Sequence, residues 1–181
     1  MGAGDELRKI AQEDSDLGRS IRQTVDVEGR LVQPEFISEI IKNRVEAVPK
    51  DRGLILDGYP RNVTQYQLFK KLWPETGRGD YRAISIELPD EEAIKRLTNR
   101  VTCENCGTIS SAGPMDKCSK CSGRLVRRPD DTPAAIQKRL QLFHAETLPM
   151  IQAMEADGKV SRINGARPID EVHRDIVANV A

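Results

Sequence analysis

Residues 53–61 read Gly53-Leu54-Ile55-Leu56-Asp57-Gly58-Tyr59-Pro60-Arg61. The short apolar run predicts a strand over 53–57 that ends in a turn. In parallel α/β sheets, ligands sit beyond the carboxyl ends of the strands, so Asp57-Gly58 marks a place where a site can form. Glycine at 58 permits close backbone approach, Pro60 stiffens the turn, and the Arg61 guanidinium is a planar fork suited to phosphate. Read alone, the same stretch is equally an ordinary strand-to-helix loop with a solvated arginine.

Outward from this stretch, helical and extended patterns alternate. Upstream, 5–12 and 17–25 read as helices, with Leu17, Ile21 and Val25 at four-residue spacing, and Glu28-Gly29-Arg30 breaks the pattern. Pro34 suits a first helical turn, and Ile37, Ile40, Ile41, Val45 and Val48 form an apolar stripe behind it. Downstream, Tyr66, Leu68, Phe69 and Leu72 predict a helix ending at Trp73-Pro74, and 81–88 predicts a strand. Pro89-Asp90 opens a helix with Ala93, Ile94 and Leu97 inward. From Thr132-Pro133 a long helix should run with Ile136, Leu140, Phe143, Thr147, Met150, Ile151 and Met154 on one face. A third strand over 160–163 and a helix over 168–180 close the chain. Strands alternating with helices imply a parallel α/β sheet with right-handed crossovers.

The four cysteines fall in one window: Cys103-Glu104-Asn105-Cys106 and Cys118-Ser119-Lys120-Cys121. Each two-residue spacing lets a tight turn offer two sulfurs to one tetrahedral zinc, and four protein ligands leave no open position, so the ion would be structural. Gly107 and Ser122-Gly123 follow the pairs, where a positive φ would let each turn reverse. Two disulfides or unrelated thiols are the other readings of the same residues. The segment 101–127 has few large apolar residues, so a metal would have to hold it together. His144 and His173 stand alone in sequence and read as surface or helix-packing residues.

Arginines gather around the cysteine insertion. Arg96 and Arg100 precede it at four-residue spacing on one expected helix, Arg127 and Arg128 follow it, and Arg139 lies in the long helix. Like charges at that spacing destabilise a bare helix slightly, so such a cluster calls for an anion; a solvated charged face is the alternative.

Composition narrows the classes. With 28 basic and 28 acidic residues the formal net charge is zero, and aromatic residues are only 4%. Neither a cationic field nor a stacking surface points to nucleic acid. No apolar run approaches the ~20 residues of a membrane helix, and no secretory apolar region follows Met1. The expectation is a soluble, cytoplasmic, α-rich globular protein with no membrane or nucleic-acid partner.

These residues together resemble the adenylate kinases in their long-lid, four-cysteine form. Gly2-Ala3-Gly4-Asp5-Glu6-Leu7-Arg8 is similar to the monophosphate motif S-T-G-D-x-L-R, and Gly29-Arg30-Leu31-Val32 to G-K-L-V. Asp57-Gly58-Tyr59-Pro60-Arg61 with Gln65 is similar to D-G-F-P-R-x-x-x-Q. Arg128-Pro129-Asp130-Asp131, Lys138-Arg139-Leu140 and Asn164-Gly165 are similar to R-x-D-D, K-R-L and N-G. The match runs along nearly the whole chain, and it is the order and spacing that make it specific.

The resemblance implies Mg²⁺-dependent phosphoryl transfer from ATP to AMP, giving two ADP. It implies an α/β, parallel-sheet, P-loop NTPase-like core in residues 1–100 and 128–181, with monophosphate-binding helices over about 3–32 to 48 and an inserted zinc-ribbon lid at 101–127. Arg8, Arg61 and Gln65 would hold AMP, with Ala3, Gly58 and Tyr59 lining its site and Arg30, Leu31 and Val32 shaping the base pocket. Arg96, Arg100, Arg128 and Arg139 would close over the phosphates; Arg61, Arg96, Arg128 and Arg139 would be the catalytic set, and Arg128 and Arg139 would also touch AMP. Ile109, Ser110 and Arg167 fall where ATP is contacted. Asp57 would orient Mg²⁺ through water, and Cys103, Cys106, Cys118 and Cys121 would bind structural Zn²⁺. The expected state is a monomer. UMP, CMP and GMP kinases share parts of the pattern, but the four-cysteine lid and Gln65 favour AMP.

One part of the family pattern has no counterpart. No G-x-x-x-x-G-K occurs in this sequence, so the first strand, phosphate loop and helix, roughly 30 residues, are absent from it. The strands over 53–57 and 81–88 would then flank a gap. The preferred explanation is a coding sequence that begins upstream of Met1, which translation of the upstream frame tests. The alternatives are a catalytically inactive AMP-binding relative or a truncated fragment, and a zinc-ribbon module that docks nucleic acid; zero net charge and few aromatics count against the last.

Overall fold

The computed structural model describes residues 2–24, 32–113, 116–128 and 131–180. In chain order the elements are α1 (Ala3–Ala11), α2 (Asp16–Arg22), α3 (Pro34–Glu46), α4 (Val63–Leu72), β1 (Ala83–Glu87), α5 (Asp90–Thr98), β2 (Arg100–Cys103), β3 (Ile109–Ser111), β4 (Leu125–Val126), α6 (Pro133–Leu142), α7 (Leu148–Ala156), β5 (Val160–Asn164) and α8 (Ile169–Val180). β1 pairs with β5. The Ala83 amide donates to the Lys159 carbonyl and the Gly165 amide to the Glu87 carbonyl, so both strands ascend together and the pair is parallel. The protein is thus α/β with a parallel sheet.

The chain divides into two compact units. The first comprises Met1–Ser85, Leu142–Arg162 and Asn179–Ala181; the second comprises Ile86–Gln141 and Ile163–Ala178. The core of the first is built by Ile37, Ile41 and Val45 of α3, Tyr66 and Phe69 of α4, and Met150 and Met154 of α7. The apolar stripe expected from the helical spacing after Pro34 is therefore the buried face. Tyr66 is fully buried, and its phenol is satisfied by donating to Asp157 at 2.7 Å. Arg78 gathers the carbonyls of Val45, Val48, Pro49 and Arg52, which supplies partners for the C-terminal turn of α3 and the loop after it.

α1 and α2 cross at Gly18. A Cβ there would stand 2.3 Å from the Glu13 carbonyl oxygen and 2.8 Å from that of Ile10. Ser15 caps α2 by accepting from the Gly18 amide at 3.0 Å, so the glycine is fixed from both sides. Gly18→Ala is expected to cost about 1–3 kcal/mol through forced separation of the helix pair. A lowered urea midpoint with unchanged slope checks this.

Three stretches of the chain depart from expectation. Residues 53–56 join no ladder, and Asp57 makes a single parallel bridge to Gly2. Leu54 and Leu56 pack on the core while Ile55 is 80% exposed, so the segment has strand alternation without a strand on its other side. A ladder needs a partner, and among the described residues none lies there. Second, Arg96 and Arg100 do not share a helix. α5 ends at Thr98, because Arg100 is already paired with Ser111 in β2. Nor are Ala93, Ile94 and Leu97 buried; α5 buries no residue, and Ile94 is 43% exposed. Third, the long helix is interrupted by a π turn at Phe143–Thr147. Pro149 lacks an amide proton, and its ring would collide with the carbonyl four residues back, so the chain widens by one register there.

Expected helical residue Val25 and the break at 28–30 lie outside the described residues. No helix is long and apolar enough to cross a membrane among the described residues.

Candidate functional site

The first unit brings Ala3, Gly58, Arg61 and Gln65 together around the 57–61 turn. The Ala3 amide donates to the Asp57 carbonyl at 2.9 Å, which seats the start of α1 beside the turn. Gly58 has φ +73°, and a Cβ would meet Arg61 Nη2 at 2.8 Å, so only glycine serves. Arg61 Nε donates to the Gly58 carbonyl at 2.9 Å, folding the guanidinium back across the turn. Gln65, 3% exposed, accepts the Arg61 amide through Oε1 at 2.7 Å, and its own amide donates to Asn62, the cap of α4. The Gln65 oxygen therefore holds the loop. Arg8 is exposed, with its guanidinium over Gly4, and Val32 is buried. Asp57 is exposed. Arg30 and Leu31 lie outside the described residues.

The second unit holds the other arginines, each with a partner within the chain. Arg100 clamps Asp131 through two bonds of 2.8 and 2.5 Å, and Arg139 reaches the same carboxylate at 3.4 Å. Arg96 donates to Glu92 at 2.8 Å and to the Gly165 carbonyl at 3.0 Å. Arg167 pairs with Asp175 and stands 3.9 Å from Glu171, and it lines one open cleft with Arg96, Ile86 and Ile169. Arg127 donates to the Thr98 carbonyl, and Arg128 to the Thr102 hydroxyl at 3.2 Å. Ile109 and Ser110 lie on β3, where Ile109 is 55% exposed. The anions that this cluster calls for are thus met, in part, by Glu92 and Asp131.

Around the cysteines, β2 pairs antiparallel with both β3 and β4. All four thiols are free, and their sulfurs lie within 4.8 Å of one another. Cys103–Cys121 and Cys106–Cys118 approach to 3.4 and 3.7 Å. Tetrahedral zinc with sulfurs at ~2.3 Å separates them by about 3.8 Å, so the cage fits the ion. Gly107 has the expected positive φ, +69°. In the second turn Ser122 takes the left-handed φ, +58°, in place of Gly123. Gly123 is needed for another reason: a Cβ there would lie 2.9 Å from the Cys103 sulfur.

Two residues gain roles that sequence reasoning did not assign. Asp131, quoted only as part of a motif, is the common acceptor for Arg100 and Arg139. Thr147, read as one of an apolar face, donates through Oγ1 to the Arg61 carbonyl at 2.9 Å. A threonine among apolar helix positions was the available signal; the π turn that aims it was not.

The chain matches the sequence model of the family described as adenylate kinase over residues 1–159. It is similar to an adenylate kinase of Dehalococcoides mccartyi, 32% identical across 99% of this chain and 85% of the relative. It is also similar to adenylate kinases of Thermodesulfovibrio yellowstonii, 33% identical over 98% and 85%, and of Archaeoglobus fulgidus, 31% identical over 98% and 84%. Fold and matches together define a nucleoside monophosphate kinase. The chain belongs to the adenylate kinase family.

Proposed function

We propose that this protein catalyses Mg²⁺-dependent phosphoryl transfer between ATP and AMP, yielding two ADP, with zinc in the cysteine cage. The observation that carries the reading is the 57–61 turn, docked on the start of α1, with Arg61 tied to Gly58 and Gln65. Phosphoryl transfer needs in-line positioning and positive charge on equatorial oxygens, with no covalent nucleophile. In this reading Arg8, Arg61 and Gln65 hold AMP beside Ala3, Val32, Gly58 and Tyr59, with Arg30 and Leu31 completing the base pocket. Arg96, Arg100, Arg128 and Arg139 neutralise the phosphates, Ile109, Ser110 and Arg167 contact ATP, and Asp57 orients Mg²⁺ through water. Residues 101–127 act as a lid that excludes water, which would otherwise hydrolyse ATP. The protein works in the cytoplasm as a monomer, which light scattering on the purified chain tests.

Titration calorimetry tests the pocket. AMP should bind the 181-residue chain, and Arg61→Ala should weaken binding about ten- to a hundredfold through loss of charge-assisted hydrogen bonds. Equal affinity in the two would refute the assignment of Arg61.

A second reading is an AMP-binding relative without turnover. It is favoured by the carboxylates of Glu92 and Asp131, which already occupy Arg96 and Arg100. A coupled ADP assay on the same chain separates the two: ADP formation supports the enzyme, and AMP binding with no ADP formation supports the relative.

A further inference from the structure

The motif around Arg61 has tyrosine where the family pattern quoted above has phenylalanine, and the hydroxyl has its own partner. Tyr59 is 7% exposed, with its ring edge-on to Phe69. Its hydroxyl donates to Ser38 Oγ at 2.7 Å, and Ser38 Oγ donates to the Pro34 carbonyl at 2.6 Å. Each hydroxyl spends its one proton, so the relay runs in one direction, from the 57–61 turn to the first turn of α3. Ser38 is 2% exposed, and burial pushes the Tyr59 phenol above its ordinary value, which keeps it a neutral donor.

Placement gives the relay its meaning. Tyr59 sits between Gly58 and Arg61, the phosphate side of the proposed pocket. Pro34 stands two residues beyond Val32, the base side. A hollow of about 20 Å³ lies beside the pair, lined by Ser38, Tyr59, Ile41, Val45, Phe69 and Trp73 among others. An apolar hollow tolerates small rotations of α3, whereas a short, buried hydrogen bond is directional and does not. A phenylalanine would fill the same ring volume and leave α3 without that tie.

We propose that Tyr59 is a specificity-determining positioning residue, whose hydroxyl, through Ser38, holds the first turn of α3 in register with the 57–61 turn and so sets how the pocket discriminates among nucleobases. This rests on the AMP-site reading.

The test is calorimetric titration of AMP, GMP, CMP and UMP into the full chain and its Y59F, S38A, S38T and Y59F/S38A variants, with thermal midpoints alongside. Y59F and S38A should each weaken AMP about three- to tenfold, the worth of one net hydrogen bond, and narrow the preference for AMP over the other monophosphates. S38T keeps a hydroxyl and should retain that preference. The double variant should bind no worse than either single one, since both break one relay. Its thermal midpoint should exceed that of S38A, which leaves the Tyr59 hydroxyl buried without an acceptor. A purely structural bond would move the midpoints and leave base preference intact; that result, or additive losses, overturns the proposal. If the parent chain binds AMP and Y59F matches it, only the role of Tyr59 falls. If the parent chain binds no monophosphate, the pocket itself falls and the proposal with it.

Discussion

With zinc in the cysteine cage as proposed, stripping it will unfold the stretch that carries β2, β3 and β4 while the first unit's core stays folded. Among the described residues of that stretch, Val101, Cys103 and Cys118 are the buried apolar side chains, and two of those are cage members. Three short strands around so small a core cannot offset the entropy of ordering them. The sulfurs also need a cation. Hydrogen bonding with the Thr108 side chain and backbone holds the Cys106 thiol down to about 6. The Gly123 amide favours the Cys121 thiolate, but its neighbouring sulfurs outweigh that and push it up to about 12. Zinc binds thiolates, so a divalent ion would displace the remaining thiol protons, offset the repulsion among four charged sulfurs and form bonds with an apparent worth of roughly 10–16 kcal/mol. Purified protein should therefore carry one zinc by elemental analysis. After chelation, hydrogen exchange of β2, β3 and β4 should reach the rate of an open chain, with Tyr66 and Phe69 still protected. An insertion that stays protected without metal would end the argument for a structural ion.

How far the residues announced this depends on whether their chemistry is local. The cysteine cage was legible because a two-residue spacing fixes where two sulfurs can point. The 57–61 turn was legible because glycine and proline restrict the backbone whatever surrounds it. The buried face of α3 followed from helical spacing alone. The 53–57 segment was read as a strand flanking a gap, and its alternation reports the one covered face; it joins no ladder beyond the single Asp57 bridge to Gly2. Arg96 and Arg100 were placed on one helix because four-residue spacing cannot reveal that Ser111 claims residue 100 for a strand. Thr147 and Asp131 were hidden for a related reason: their partners lie 86 and 31 residues away.

Replacing Asp131 with alanine should destabilise the second unit by about 3–5 kcal/mol, because it strands a largely buried guanidinium. The Asp131 carboxylate is 3% exposed and accepts both bonds of the Arg100 fork, whose side chain is 16% exposed. Arg139 contributes less, since it is 46% exposed and solvent screens its 3.4 Å contact. The cost comes from the charge left behind, so its sign can be tested. Adding Arg100→Leu to Asp131→Ala should recover most of the lost stability, since an apolar side chain needs no counter-ion. Asp131→Asn, which keeps the shape and one acceptor, should fall between the parent and Asp131→Ala. Urea denaturation followed by hydrogen exchange at β2 and α6 reads the second unit directly. If Asp131→Ala lies within about 1 kcal/mol of the parent, the pair is a solvated contact of ordinary surface worth. If the double variant is worse than the single one, Arg100 is stabilised by something other than Asp131. If Arg100 meets the ATP phosphates as proposed, a fork that Asp131 no longer aims should hold them more loosely, so ATP affinity should fall in Asp131→Asn even where the fold survives.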